Sequence, residues 1–426
     1  MPTPEIVLDL LAFLDRAPTP WHASSEAAAR LENAGFRELR ESDPVWKVGP
    51  GEGLFLRRSG AIVAWVVPLG VPRELVLGLA HTDSPCLRLK PRPDQAAFGC
   101  RKLSVDVYGG LLNHSWLDRE LRVAGRVALR DGTGAREVLV ELDNFRPIVP
   151  SLAIHLDRGI NERGLILDRE RHLPPLAGLE REGVPEIDAR IAQKLDVPES
   201  DVLGWDLCLV DASPAALAGA QDLVVSGRLD NLASCHALLR AILALKPGDN
   251  RLSMVAFLDG EEIGSGMPEG ADSRFLSRLL ERSLAASGLS TEASQYLISS
   301  GFALSCDMAH AVHPNHPDRH DLRHAPLLGR GPVLKWNAGL RYATTANGMA
   351  RLRLAAGRAA VPLQIFSMRA DLACGSTVGP LVGSGLGMEA VDCGAPMLSM
   401  HASRETMAAC DHVDSMKLYL SVLAGG

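Results

Sequence analysis

The sequence predicts an α/β fold: a mixed sheet with helices on both faces, interrupted by an inserted β-rich domain. Three observations predict it. Short apolar, β-branched runs alternate with helical stretches along most of the chain. Between about residues 86 and 225 this gives way to shorter strands and turns punctuated by Pro and Gly. Side chains able to bind metal recur just after predicted strands, the edge where open α/β sheets place their sites. At about 150 residues per domain, 426 residues leave room for two or three domains.

The elements follow in chain order. Ile6, Leu10, Phe13 and Leu14 recur at helical spacing, so the N-terminus reads as an amphipathic helix. Met1–Leu10 has no Lys or Arg and so lacks the basic head of a signal peptide. Ser24–Ala34 reads as a helix stopped by Gly35. Ala61–Val67 and Leu75–Ala80 read as buried strands. Then come Val105–Tyr108, Leu121–Leu129, a hairpin turn at Asp131-Gly132 and a strand Val138–Leu142. Beyond the insert, Leu232–Ala244 reads as a helix, and Leu252–Leu258, Phe302–Cys306, Leu363–Met368 and Ala390–Asp392 as strands. This predicts a catalytic domain split into 1–85 and 226–426 around an inserted domain, 86–225.

Composition excludes several functions. Lys plus Arg number 44 and Asp plus Glu 51, a net charge of −7, which argues against a general nucleic-acid binder. With 46% hydrophobic residues the chain is too apolar to be disordered. No apolar run approaches the ~18–20 residues of a membrane span. Eight cysteines without a C-x-x-C pair predict reduced thiols and a cytoplasmic location.

Five segments carry the candidate chemistry: Ala80-His81-Thr82-Asp83-Ser84-Pro85, Gly227-Arg228-Leu229-Asp230-Asn231, Asp259-Gly260-Glu261-Glu262-Ile263-Gly264-Ser265, Cys306-Asp307-Met308-Ala309-His310 and Ser399-Met400-His401-Ala402-Ser403. Taken singly, each has an ordinary reading. His-Thr-Asp is a polar strand end, Glu-Glu a solvated surface, Asp-Asn a helix cap. Asp307 after an apolar strand is more pointed, because an unpaired buried carboxylate is costly. Together they make a His and carboxylate set suited to hydrolytic zinc, cobalt or manganese. Two such ions ~3.5–4 Å apart can share a carboxylate and a water that becomes a hydroxide nucleophile. On an extended segment Glu261 and Glu262 point apart, so one can bind metal while the other takes the water's proton. Asp83 can accept the second N–H of His81 and fix its tautomer.

This ordered set, with Asp307-Met308-Ala309-His310-Ala311-Val312-His313-Pro314-Asn315, Cys374-Gly375-Ser376-Thr377-Val378-Gly379-Pro380 and Ser399 through Glu405, resembles the M18 metalloaminopeptidases, the aspartyl aminopeptidase group. The resemblance runs from Pro18-Thr19-Pro20-Trp21-His22-Ala23 to the C-terminus. It implies a di-zinc peptidase sheet of the phosphorylase/hydrolase-like kind and two divalent ions per subunit, zinc with cobalt or manganese as alternatives. His81 and Asp307 would hold one ion, Glu262 and His401 the other, with Asp230 bridging and the Asp230–Asn231 bond cis. Glu261 would be the general base and Asp83 the partner of His81. His155, in Pro150-Ser151-Leu152-Ala153-Ile154-His155-Leu156, would reach a neighbouring subunit's site to steady the transition-state oxygen, or add an imidazole ligand. The resemblance further implies a tetrahedral homododecamer whose dimer contacts come from the inserted domain.

For substrate binding the family's basic position falls on Lys335, suited to an acidic N-terminal Asp or Glu. His310 and His313 stand beside Asp307, and Gly375, Ser376 and Thr377 lead into a helix N-terminus that favours anions. Ala338-Gly339-Leu340 lacks the polar residues common there, which points to a broader substrate range. His310, His313, His316, His320 and His324 mimic a metal-binding helix face, but Pro314 and Pro317 predict a loop. Gly383-Ser384-Gly385-Leu386-Gly387 mimics a dinucleotide fingerprint but has Met388 where the third Gly belongs, and reads as a packed helix start. The rival functions are a deacylase on the same scaffold and an inactive shell protein.

Overall fold

The computed structural model describes residues 4–425. They form two compact units, one of 4–83, 215–400 and 405–425, the other of Ser84–Pro214 with His401–Arg404. The chain re-enters the first unit at Ala215, earlier than the expected 226. The reason is strand pairing: Ala216–Ala218 pairs with Leu223–Ser226, which pairs with Glu405–Ala408.

The first unit is built on a nine-stranded mixed sheet in the order Arg37–Glu38, Gly53–Arg58, Ala61–Val66, Arg251–Leu258, Glu74–His81, Phe302–Cys306, Glu389–Gly394, Val333–Trp336, Gln364–Ser367. The four strands from Arg251–Leu258 to Glu389–Gly394 run parallel. Their near-continuous apolar sequences are buried almost throughout, as parallel strands covered on both faces require. The period-2 alternation divides them between two cores. Leu75, Leu77 and Leu79 pack with Leu276, Leu280, Leu297 and Val382. Val76 and Ala80 pack with Val7, Leu10, Leu238, Leu352 and Leu418. Gly78 lets the helix above approach: a Cβ there would meet Leu238 Cδ2 at 2.6 Å. A five-stranded sheet, Ala216–Ala218, Leu223–Ser226, Glu405–Ala408, Pro396–Leu398 and Ala309–His310, completes this unit's strands.

The N-terminal helix, Glu5–Arg16, buries Val7, Leu10, Phe13 and Leu14. The next helix starts four residues before the expected Ser24, at Pro20, because the Thr19 hydroxyl accepts the His22 N–H and Pro20 takes the first helical position. It ends at Asn33, with Gly35 at φ 86°. The Gly383–Gly387 run is not a helix start: it closes the helix Val378–Leu386, with Gly387 in the left-handed C-cap. The histidine loop carries only a short 3-10 turn, Pro317–Arg319. No helix among the described residues is long and apolar enough to cross a membrane. All eight cysteines are free.

The second unit is a six-stranded sheet in the order Gly134–Glu141, Leu121–Asp131, Val202–Asp211, Cys86–Ala97, Cys100–Tyr108, Leu176–Leu179. Every pairing is antiparallel. The hairpin closes with Asp131 opposite Gly134 and Gly132 at φ 56°. Leu121, Val123, Val127 and Leu129 are buried, while Arg122, Arg126 and Arg130, each next to one of them in sequence, reach Glu141, Asp206 and Asp201. Such alternation marks a sheet with one packed and one solvated face.

Candidate metal centre

The parallel strands end in register, and their carboxyl ends carry the acids and imidazole singled out by the sequence. His81 is the last residue of its strand and pairs with Leu258. It is buried, and its Nδ1 lies 3.0 Å from the Asp83 backbone oxygen. A carbonyl only accepts, so Nδ1 carries a hydrogen, and Nε2 is the ring nitrogen that faces Asp230 Oδ1 at 3.5 Å and Asp307 Oδ1 at 3.8 Å. Burial opposes a charged imidazole, but Asp230, Asp307 and Asp83 outweigh it and hold the His81 pKa well above its ordinary value.

Asp83 serves more than His81. Its carboxylate, 3.4 Å from His81 Nδ1, accepts the backbone N–H groups of Glu261 and Glu262, each at 3.1 Å. It therefore ties the His81 strand end to the adjacent turn. That turn corrects an expectation: Glu261 and Glu262 lie not on an extended segment but on a 3-10 turn, Glu261–Ile263. Gly260 at φ 79° and Gly264 at φ 96° bracket it.

Asp230 is the second residue of the segment Leu229–Ala244, whose regular helix begins at the expected Leu232 because Asp230 and Asn231 depart from helical angles. The Asp230–Asn231 bond is cis. The Asp230 N–H donates to Glu405 Oε2 at 3.1 Å, and Asn231 Nδ2 donates to the Cys306 carbonyl at 2.8 Å, tying the bend to the next strand. Asp307 follows that strand. Lys335 is buried, with Nζ 3.3 Å from Asp307 Oδ2, and donates to the Met308 carbonyl at 2.9 Å. It also lies over the Tyr342 ring at 5.0 Å.

Two groups of candidate ligands meet here: His81 with Asp230 and Asp307, and His81 with Glu261 and Glu262, one donor atom from each lying within 4.8 Å of the others in its group. The charge balance is informative. Asp230, Glu261, Glu262 and Asp307 converge on one imidazole and one ammonium. Buried carboxylates in excess of cations are costly unless a metal joins them. Oxygen and imidazole donors suit zinc, cobalt or manganese, so these residues fit a divalent-cation site. Burial pushes the Glu261 pKa up to about 7; His81 pulls it down, and Asp307 and Asp230 raise it further. A carboxyl poised near neutrality suits proton transfer.

The remaining predicted residues make contacts of their own. His310 is half-buried, its ring edge-on to Phe366 at 5.8 Å. His313 accepts the Asn315 N–H on Nδ1 and donates its own N–H to His320 Nε2. Gly375 and Ser376 are exposed, whereas Thr377 is buried and donates to Asp392 at 2.6 Å. His155 stands exposed in the second unit on the turn Ile154–Leu156. His401 belongs to the short segment His401–Arg404 that packs with the second unit. Sequence reasoning missed a role for Glu405, which holds Asp230, although the motif containing it was visible. It also missed Cys235, whose thiol donates to the His81 carbonyl at 3.1 Å. A lone Cys on an apolar helix face carries no such signal.

Comparison with known proteins bears on this geometry. A family profile described as aminopeptidase I zinc metalloprotease (M18) matches residues 13–422. A probable M18 family aminopeptidase 2 of Streptomyces coelicolor is 43% identical over 412 residues, covering 95% of this chain and 94% of that protein. Among solved structures, one of the Ape4 and Nbr1 complex matches with TM-score 0.92 and 34% identity, over 98% of this chain and 85% of that one. The mApe1 dodecamer of S. cerevisiae matches in fold, with TM-score 0.83 and 23% identity over 98% of this chain and 96% of that one.

Proposed function

The chain belongs to the M18 family of zinc metalloproteases and is a metalloaminopeptidase, and from that premise we propose how its residues divide the work. His81 and Asp307 would hold one divalent ion and Glu262 and His401 a second, with Asp230 contributing to both. The observation that carries this reading is the excess of buried carboxylate around His81 at the carboxyl edge of the parallel strands. Such ions, when bound, would supply Lewis-acid polarisation of the scissile carbonyl and a more acidic water. Glu261 takes the water's proton and returns it to the leaving amine, a task its pKa of about 7 supports. Asp83 and the Asp83 carbonyl keep the turn and the His81 tautomer in place. His155 steadies the developing oxyanion from a neighbouring subunit.

Substrates are peptides with a free α-amine, and the acidic preference of the aspartyl aminopeptidase group is relaxed. Lys335 supports this: its ammonium already faces Asp307 and the Met308 carbonyl. We further propose assembly into a tetrahedral homododecamer, supported by the fold match to a dodecamer, and a cytoplasmic location, supported by eight free cysteines.

Parallel assays of free-amine and N-acetylated dipeptides, with Asp, Glu, Leu and Arg at the N-terminus, test the reading. Cleavage confined to free amines, with Leu and Asp substrates within about tenfold of each other, supports it. Equal rates on acetylated substrates would favour a deacylase. Light scattering giving a monomer or simple dimer would remove the assembly and the role of His155.

A further inference from the structure

His401 occupies an unusual backbone position. Its φ is +66°, in the left-handed region that non-glycine residues rarely adopt, and Ser399 two residues earlier has φ 58°. A residue persists there only when its surroundings hold it. Those surroundings are one loop of the second unit, around the 3-10 turn Asn113–Trp116. The Leu112 N–H donates to the His401 carbonyl at 3.1 Å. The Ser403 N–H donates to Ser115 Oγ at 2.9 Å, and the Ser403 hydroxyl donates to the Ser115 carbonyl. Arg404 closes the far end by donating to the Ser213 and Pro214 carbonyls, each at 3.1 Å.

The imidazole is fixed as firmly as the backbone. His401 Nδ1 lies 3.0 Å from the Gly110 carbonyl oxygen. That oxygen only accepts, so Nδ1 carries the hydrogen and Nε2 the lone pair. His81 and the Asp83 carbonyl repeat the arrangement within the first unit. Gly110 also leaves room for the ring: a Cβ there would lie 3.2 Å from His401 Nδ1 and 3.7 Å from Cε1, so the imidazole would have to give by a few tenths of an ångström. Its own φ is not in the left-handed range, so a side chain at 110 would crowd the imidazole without straining the backbone of residue 110.

We propose that Gly110 and Ser115 are positioning residues for the metal ligand His401. The Gly110 carbonyl sets its tautomer, the absent Cβ leaves room for its ring, and Ser115 clamps the loop behind it. This rests on the reading of His401 as a ligand. It adds that the contacts holding His401 within its own unit set the strength of that ligand. Outer contacts of this kind typically change metal affinity 10–100-fold.

The test is metal titration of chelator-stripped full-length protein with Zn²⁺ by calorimetry, with the absorption spectrum of the Co²⁺-loaded protein as a second readout. Gly110→Ala is expected to bind one of two ions at least tenfold more weakly and the other as before. Its circular dichroism and stripped-state melting temperature stay at wild-type values, and turnover recovers at high metal concentration. Ser115→Ala, which removes the acceptor for the Ser403 N–H, is expected to give a smaller, several-fold loss at the same ion, and it serves if Gly110→Ala does not fold. A folded Gly110→Ala or Ser115→Ala protein with two wild-type affinities and an unchanged Co²⁺ spectrum would overturn the proposal. His401→Ala separates the two layers: retention of both ions by that variant removes the ligand reading itself.

Discussion

Two buried clusters in the first unit set histidine against aspartate, and they are balanced in opposite ways. In one, Asp9 meets His236 Nε2 at 2.9 Å, Arg30 at 2.8 Å and Arg240 at 3.3 Å, while His236 Nδ1 lies 2.9 Å from His412 Nε2. One carboxylate is answered by two guanidiniums and an imidazole. The His236 hydrogen bond, then the charges of His236, Arg30 and Arg240, hold its pKa well below the usual range against the penalty of burial. In the other, several carboxylates face His81 and Lys335. The same residue types are therefore a scaffold where charge closes and a site where it does not. The surplus is what a divalent ion would satisfy; here burial, with Asp307 and Asp230 adding to it, raises Glu261 rather than lowering it.

The largest expected effect breaks the comparison at its chemical end. Glu261→Gln should lower kcat by about 10²–10⁴, the range for losing a general base, with metal content unchanged by elemental analysis. Activity near wild type would remove Glu261 from proton transfer. Next, stripping with a chelator should abolish turnover and lower the melting temperature, with both restored by Zn²⁺. At a thousandfold excess over Kd a bound ion contributes about 4 kcal/mol. An unchanged melting temperature would mean the acid surplus is tolerated without metal. The third change strikes the balanced cluster. Asp9→Asn should cost roughly 1–3 kcal/mol in denaturant unfolding, because it removes charged hydrogen bonds, the lower part applying since Asp9 is partly exposed. Its kcat per folded molecule should stay within about twofold of wild type. A large loss of kcat would make this cluster part of the active machinery.

The two clusters were unequally legible. Strand-end placement, apolar runs and short motifs pointed to His81, Asp230, Glu261, Glu262 and Asp307, because each follows a local pattern that one strand imposes. The β-rich character of the middle of the chain was visible for the same reason. What failed to show was non-local. No local rule says that Lys335 turns inward to Asp307, or that the carboxylate of Asp83 spends itself on two amides of a turn far along the chain. The attachment of His401–Arg404 to the second unit reflects contacts with Gly110, Leu112 and Ser115, nearly three hundred residues away. The Asp9, His236 and His412 cluster stayed hidden because its members sit on three helices brought together only by packing.

The smallest effect sharpens the comparison through pH. The Asp9 carboxylate accepts, so His236 Nε2 carries a hydrogen and Nδ1 accepts from His412 Nε2–H. Protonating His236 at Nδ1 places two hydrogens in one gap, and protonating His412 puts a charge on a fully buried ring. Burial depresses both pKa values below the ordinary 6.5; Asp9 pulls that of His236 back up in part, while His236 lowers that of His412 further. The sign follows from linkage. Below pH 6.5 the unfolded chain binds protons that the folded cluster refuses, so stability falls as pH falls through that value. Asp9, whose folded pKa is depressed, adds a second loss only below its ordinary 3.8. Each histidine contributes at most about 1.4 kcal/mol per pH unit. His412→Gln retains a donor for His236 Nδ1 but cannot titrate. Urea unfolding at pH 7.5, 6.5 and 5.5 should show a shallower fall in stability for this variant than for wild type, with turnover at neutral pH unchanged. Identical slopes would mean that the pair takes up its proton without cost, and that the balance of this cluster comes from the two arginines alone.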